Sequence, residues 1–376
     1  MSEGRARTDE HLPAMDVGGR LERLRERLDG AGCQALLVTR LVNLRYLTWF
    51  TGSAGTALVT PDELLFVSDG RYRDQATAEL AAAGIEARIE ITATEQREVL
   101  TAAVACAEIE RLGLEAGDVT WAQQRRFADE WFEGVELVAT EHLVEELRQV
   151  KDAGEIARME AAAAVADAAL AAVRHRLLDG LTEVELGLEL DDAMRRLGAS
   201  GTSFETIVAS GPNGAMPHHR PGSRRIADGD LVVLDFGAVI DGYCSDMTRT
   251  VAVGELTATQ HRMVEVVAAS QAAGVAAVRA GVATRDVDRA CREVIEEAGW
   301  GESFLHGTGH GVGLEIHEDP RVSARSDATL AAGHVVTVEP GVYLPEHGGV
   351  RIEDTVVVTG EGCTALTRTP KHLPVA

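Results

Sequence analysis

Lysine is almost missing from this 376-residue chain, occurring only at Lys151 and Lys371, and 36 basic residues face 60 acidic ones for a formal net charge of -24. So large an excess of acid repels phosphate backbones and anionic bilayers, which counts against nucleic-acid and membrane partners and favours cationic N-termini or metal ions. Cysteine is scarce as well. Cys33, Cys106, Cys244, Cys291 and Cys363 are odd in number, widely spaced and mostly among apolar neighbours, which excludes a disulfide framework and suits small buried thiols in a reducing compartment. Cys244 lies near Asp246, but no activating base accompanies it, so thiol chemistry is not indicated. No stretch approaches the roughly 18 apolar residues that span a bilayer. The opening "MSEGRARTDEHLPAMDVGG" lacks the apolar core of a secretory leader. These absences point to a cytoplasmic enzyme, and the length leaves room for two domains with a sizeable core.

Against that background stand Asp235, Asp246, His310, Glu339 and Glu353, each in a short strand-like or glycine-rich stretch of the C-terminal half. Asp235 and Asp246 fall on one predicted hairpin, "LVVLDFGAVIDGYCSDMTRTVAV", whose Asp241-Gly242 pair is a strong two-residue turn signal. With those two residues at the tip, Asp235 faces Thr248, and Asp246 lies two along on the same face, placing the carboxylates roughly 5–8 Å apart. Glu339 ends the strand "HVVTVEP", where Pro340 favours extended backbone, and Glu353 follows a glycine-rich loop in "GVRIEDTVVV". Taken singly, each is an ordinary surface acid. Together they are ionisable groups among apolar neighbours, and their burial would cost several kcal/mol without a partner. A pair of divalent cations removes that cost, and four carboxylates with one imidazole suit Mn, Co, Fe or Zn ions about 3.5–4 Å apart.

The ordered set "LDFGAVIDGYCSDMTRT", "HGTGHGVGLEIH", "VEPGVY" and "GVRIEDT", preceded by "ASGPNGAMPHHRP", resembles the pita-bread metallopeptidases, in particular Xaa-Pro aminopeptidases and Xaa-Pro dipeptidases. The segments "NLRYLTWFTGSAG" and "SDGRYRDQA" resemble the creatinase-type domain that precedes the catalytic domain in that family. The resemblance implies an α+β chain. A creatinase-like α/β domain over residues 15–147 would precede a pseudo-twofold pita-bread domain over 152–373, with a curved antiparallel sheet covered by helices. It makes Asp235 a chelating ligand of one metal, Asp246 and Glu353 bridges, and His310 and Glu339 ligands of the other. It implies two divalent cations, manganese foremost, that lower the pKa of a water toward neutrality, with Glu339 taking its proton. His218 and His317 match histidines that stabilise the tetrahedral intermediate and protonate the leaving nitrogen.

Substrate contacts are expected from His218, His306, Tyr343 and Arg351. Arg351, two residues before Glu353, would share its face and pair with Glu353 or with a substrate carboxylate. For His306, positioning beside the glycine turn stands equal to substrate contact. Only one of His218 and His219 should face the site, because neighbours on an extended chain point opposite ways. The ligands point to hydrolysis, and the resemblance implies that the bond cleaved precedes proline, releasing the N-terminal residue of Xaa-Pro peptides. A dipeptidase is the alternative, and a binding protein on the same scaffold stands third. The expected partners are proline-containing peptides and a second copy of the chain.

Other motifs dissolve. "DFG" at 235–237 lacks a kinase catalytic loop, "GTGHGVG" fails the dinucleotide spacing, and the four-residue interval from His306 to His310 lies in a glycine-rich loop, where a zincin helix cannot form. Along the chain, an amphipathic helix is expected over 17–31 and short strands at "ALLVT", "TALVT" and "LLFVS". An alanine-rich helix is expected over about 152–178, a helix capped by Thr182 with Glu185, and helices near 257–280 and 284–298. Lys151 is expected near the domain junction.

Overall fold

The computed structural model describes residues 12–371; the leader reading for the N-terminus therefore lies largely outside the described residues. The chain is α+β, and its described residues divide into two compact units, one over 15–148 and the other over 149–371 together with residues 12–14. Among the described residues, no helix is long and apolar enough to cross a membrane.

The N-terminal unit is built on a six-stranded mixed sheet in the order 88–91, 64–68, 56–59, 35–38, 111–115, 136–140. Ala35–Val38 runs parallel to Arg111–Glu115 and antiparallel to Thr56–Val59. Its four residues are all buried, as a continuous apolar run covered on both faces requires. The first helix spans Val17–Leu28 and ends before the expected 31, because the chain turns through Gly32 at φ 76°. Its buried Val17, Leu21, Leu24 and Leu28 recur at helical spacing.

The second unit alternates helix pairs with antiparallel strands. Ala153–Val173 starts on a capping box between Asp152 and Glu155, and Glu183–Arg196 on another between Thr182 and Glu185. The alanine-rich helix stops at Val173 and tightens into a 3-10 segment, Arg174–Asp179, which buries Leu177 and leaves Leu178 exposed. Ala258–Ala277 and Thr284–Glu297 form the second pair. Strands Ile207–Ser210, Leu231–Phe236 and Met247–Ala252 make one antiparallel sheet, packed on the first helix pair through Leu234, Phe236, Met247, Leu186 and Leu190. Val335–Val338 and Asp354–Val358 are central to another, five-stranded sheet over the second pair.

The aspartate hairpin has the expected register, with Thr248 opposite Asp235 and Ile240 opposite Tyr243. Asp241 and Gly242, at φ 47° and 82°, form the tip, both left-handed as a primed turn demands. The ladder is interrupted at Gly237, where a Cβ would overlap the Ser245 carbonyl, and beyond it Ala238–Ile240 pairs with Tyr243–Cys244 on one edge and with Gly201–Thr202 on the other. That interruption places Asp246 outside the ladder, just before Met247–Ala252, while Asp235 stays within its own strand.

Candidate active site

Asp235 leaves Leu231–Phe236, Asp246 precedes Met247–Ala252, and Glu353 occupies the gap between Gly348–Arg351 and Asp354–Val358. One carboxylate oxygen from each lies within 4.8 Å of the other two. His310, on the short strand Gly309–Gly311, joins them with Nε2 3.5 Å from Asp246 Oδ2 and 3.3 Å from Glu339 Oε1. A Cβ at Gly309 or Gly311 would strike the Thr337 or Asp319 carbonyl, so glycines on both sides let His310 approach the sheet closely. Asp246 thus stands in both groups, the carboxylate triad and the His310–Glu339 pair.

These groups are poorly compensated by the protein itself. Burial, then the charges of Glu353, Asp235 and Glu339, pushes the Asp246 carboxyl well above the usual carboxylate range. Burial, then Glu339 and Asp235, does the same to Glu353. Glu339 goes the other way. Burial opposes its charge, yet the hydrogen bond and charge of His310, with His306 and Arg351 behind, hold it at about 2. Asp235 Oδ1 and Glu353 Oε1 are buried and have no hydrogen-bond partner among the described residues. Orphaned anionic oxygens converging on one point fit a cation, which satisfies them and removes their mutual repulsion.

Residues 157–360 match metallopeptidase family M24, and residues 20–150 match the creatinase/prolidase N-terminal domain. The chain belongs to metallopeptidase family M24. It is 41% identical over 356 residues to an uncharacterized peptidase of Bacillus subtilis, YqhT, covering 94% of this chain and 99% of that one. The Xaa-Pro dipeptidase from Bacillus anthracis superposes with a TM-score of 0.91 at 40% identity, covering 95% of this chain and 99% of the other. The X-Pro aminopeptidase from Thermotoga maritima superposes with a TM-score of 0.86 at 34% identity, covering 94% and 98%.

In this M24 chain the carboxylates open onto a cavity of about 510 Å³ whose walls include Phe204, Ile207, Pro217, Ile316 and Arg321. His218, His306 and His317 also line it. The His317 ring meets His310 edge to face at 4.4 Å. Partial burial, then the charges of His310 and Arg321, lowers His317 to about 4, so its imidazole is neutral at pH 7.

Three expectations need correction. Arg351 pairs not with Glu353 but with Asp235, Nη2 to Oδ2 at 2.6 Å, because the strand ends at Arg351 and the two-residue alternation does not continue to Glu353. Tyr343 does not line the cavity. Its buried hydroxyl lies 2.8 Å from His306 Nε2 and accepts from Arg351 Nη1 at 2.9 Å, closing a chain from His306 to Asp235. His218 and His219 both line the cavity, since residues 217 and 218 form a turn where an extended chain was expected. His219 is nevertheless held by Glu183 at 2.8 Å.

Sequence reasoning missed three supports. Asp288, buried on Thr284–Glu297, accepts from the Thr308 backbone at 3.0 Å and its hydroxyl at 2.9 Å, while Arg292 donates to the His306 carbonyl, so this helix fixes the histidine loop. Lys151 forms a buried pair with Glu318 at 3.0 Å, next to His317. Thr248 donates to Glu353 Oε2 at 2.8 Å. The facing register of Thr248 was readable from the hairpin; the other two supports join distant segments with no local signal.

Proposed function

We propose that this chain is a two-metal hydrolase of the peptide bond preceding proline. The observation that carries the reading is the convergence of Asp235, Asp246 and Glu353, two of them with orphaned buried oxygens, against His310 and Glu339. Those five residues would hold two divalent cations, manganese foremost and Co, Zn or Fe as alternatives. Bound there, the cations would polarise the scissile carbonyl and make a water nucleophile available at neutral pH.

The chain's own residues do the rest. Glu339, at the cavity, takes up the attacking water's proton transiently, and Asp246 and Glu353 fix the carboxylate frame. Arg351 draws Asp235 toward itself and, through Tyr343, holds His306 against the cavity wall. His317, neutral near pH 7, hydrogen-bonds the oxygen that gains charge, and His218, also at the cavity, relays the proton taken up by Glu339 to the departing proline nitrogen. Phe204, Ile207 and Pro217 offer an apolar wall for the proline ring.

Substrate length separates two forms of this reading. Extensive likeness to the Bacillus anthracis Xaa-Pro dipeptidase, with Arg321 in the cavity as a cation for a free carboxylate, favours dipeptides. The aminopeptidase expected from the sequence keeps the support of the Thermotoga maritima structure. Metal-loaded protein offered Xaa-Pro and Xaa-Pro-Yaa peptides, with products identified by mass, decides between them. Cleavage confined to dipeptides makes it a dipeptidase, and cleavage of both lengths an aminopeptidase. No cleavage of either, in protein carrying its metals, contradicts the proposal.

A further inference from the structure

Glu183 is fully buried in the first turn of Glu183–Arg196, although the Thr182–Glu185 capping box already satisfies that helix start. Its carboxylate is turned away from its own helix. Oε1 accepts from the Ser210 backbone at 2.8 Å, the Ser210 hydroxyl at 2.7 Å and the Asn213 amide at 2.9 Å. Oε2 accepts from the Gly222 backbone at 3.1 Å and lies 2.8 Å from His219 Nε2. One side chain therefore grips both ends of the segment 210–222, which carries Pro217, His218, His219, Arg220 and Pro221 into the cavity wall. Burial opposes its charge, but the donors from Ser210, Asn213 and His219 outweigh that and keep its carboxyl below the usual range. Arg224 backs the grip by donating to the Ser210 hydroxyl at 2.6 Å while pairing with Asp230.

A buried carboxylate costs several kcal/mol and is sustained only by such a full set of donors. Here all those donors belong to the wall segment. We propose that Glu183 is a positioning residue for the hydrolysis proposed above, clamping His219 and Gly222 so that the turn presents His218 to the reacting bond. His218 lines the same cavity as His306 and His317, so a shift of the turn alters the geometry of the histidines facing it.

Glu183→Gln separates the two halves of the clamp. Its remaining oxygen still serves Ser210 and Asn213, while its NH2 group faces the Gly222 N–H and the His219 side, where it cannot accept. On an Xaa-Pro dipeptide, kcat is expected to fall about 10- to 100-fold, as displacement of a reacting group by about 1 Å does, with KM, metal content and melting temperature near wild type. His219→Gln, which cuts the clamp from the turn, is expected to give the same pattern. In a His218→Ala background, Glu183→Gln should lower kcat by less than about twofold further, because both changes act through one group. A downfield imidazole N–H resonance assigned to His219 should be present in wild type and lost in Glu183→Gln. Full activity in Glu183→Gln, or equal fold-losses in both backgrounds, overturns the clamp. Metal-loaded wild type that cleaves no Xaa-Pro peptide, with the His219 resonance intact, overturns the hydrolytic reading instead.

Discussion

Asp246→Asn makes a prediction with opposite signs in the two metal states. Asp246, Asp235 and Glu353 present oxygens within 4.8 Å of one another, and a unit charge pair at that distance repels by about 3 kcal/mol at an effective dielectric of about 20. Protein stripped of metal escapes part of this by taking up protons, which is what the raised carboxyls of Asp246 and Glu353 express. Because those pKa values are higher folded than unfolded, the folded stripped protein binds more protons. Its stability should therefore fall as pH rises above about 4. Asparagine keeps the shape and removes one charge. At neutral pH the stripped variant should be more stable than stripped wild type by on the order of 1–2 kcal/mol, or about 3–6 °C in melting temperature for a unit of this size. With metal added the order should reverse, because the variant loses a ligand and wild type gains the binding free energy. Thermal melts with and without chelator, from pH 5 to 8, measure all four states. Stripped Asp246→Asn melting below stripped wild type throughout that range would refute the reasoning.

Three further outcomes follow from the same structure. His317→Ala should retain its metals but lower kcat by ~10²–10⁴-fold, checked by elemental analysis alongside turnover; an unchanged rate returns His317 to a packing role. His334 is buried, and burial followed by the charge of Lys151 holds it at about 4 against an ordinary 6.5. The folded state thus binds fewer protons, so its contribution is present above pH 6.5 and lost as pH falls toward 4, by about 3 kcal/mol. His334→Gln should flatten the pH dependence of the urea midpoint over that window, and identical profiles would contradict the assignment. Leu234→Ala, beside Asp235 in the core, should cost about 2–5 kcal/mol in chemical denaturation, and a cost below 1 kcal/mol would contradict its packing.

The parts of the site legible in the sequence are those governed by local rules. The Asp241-Gly242 tip sets a period-two register, so the placement of Asp235 against Thr248 follows from counting. The cap at Thr182 is equally local and marks its helix correctly. Failures occur where the local period breaks. Glu353 sits outside a strand, so the partner of Arg351 could not be inferred from alternation, and Arg351 reaches Asp235 across 116 residues. The cap at Thr182 drew attention to Glu185, while the neighbouring Glu183 contacts residues 27 to 39 positions away that no spacing rule connects. Lys151 meets Glu318 across 167 residues, and neither carries a motif. Helix ends slipped for the same reason: the change to 3-10 geometry after Val173 depends on how Leu177 packs, which periodicity does not encode.

The central claim is that five side chains form one two-metal centre. Crystals of manganese-loaded protein, with anomalous difference density collected at the manganese edge, test it most directly. Two peaks about 3.5–4 Å apart, enclosed by Asp235, Asp246, His310, Glu339 and Glu353, are the predicted result. Fully loaded protein whose anomalous peaks lie away from these residues would contradict it.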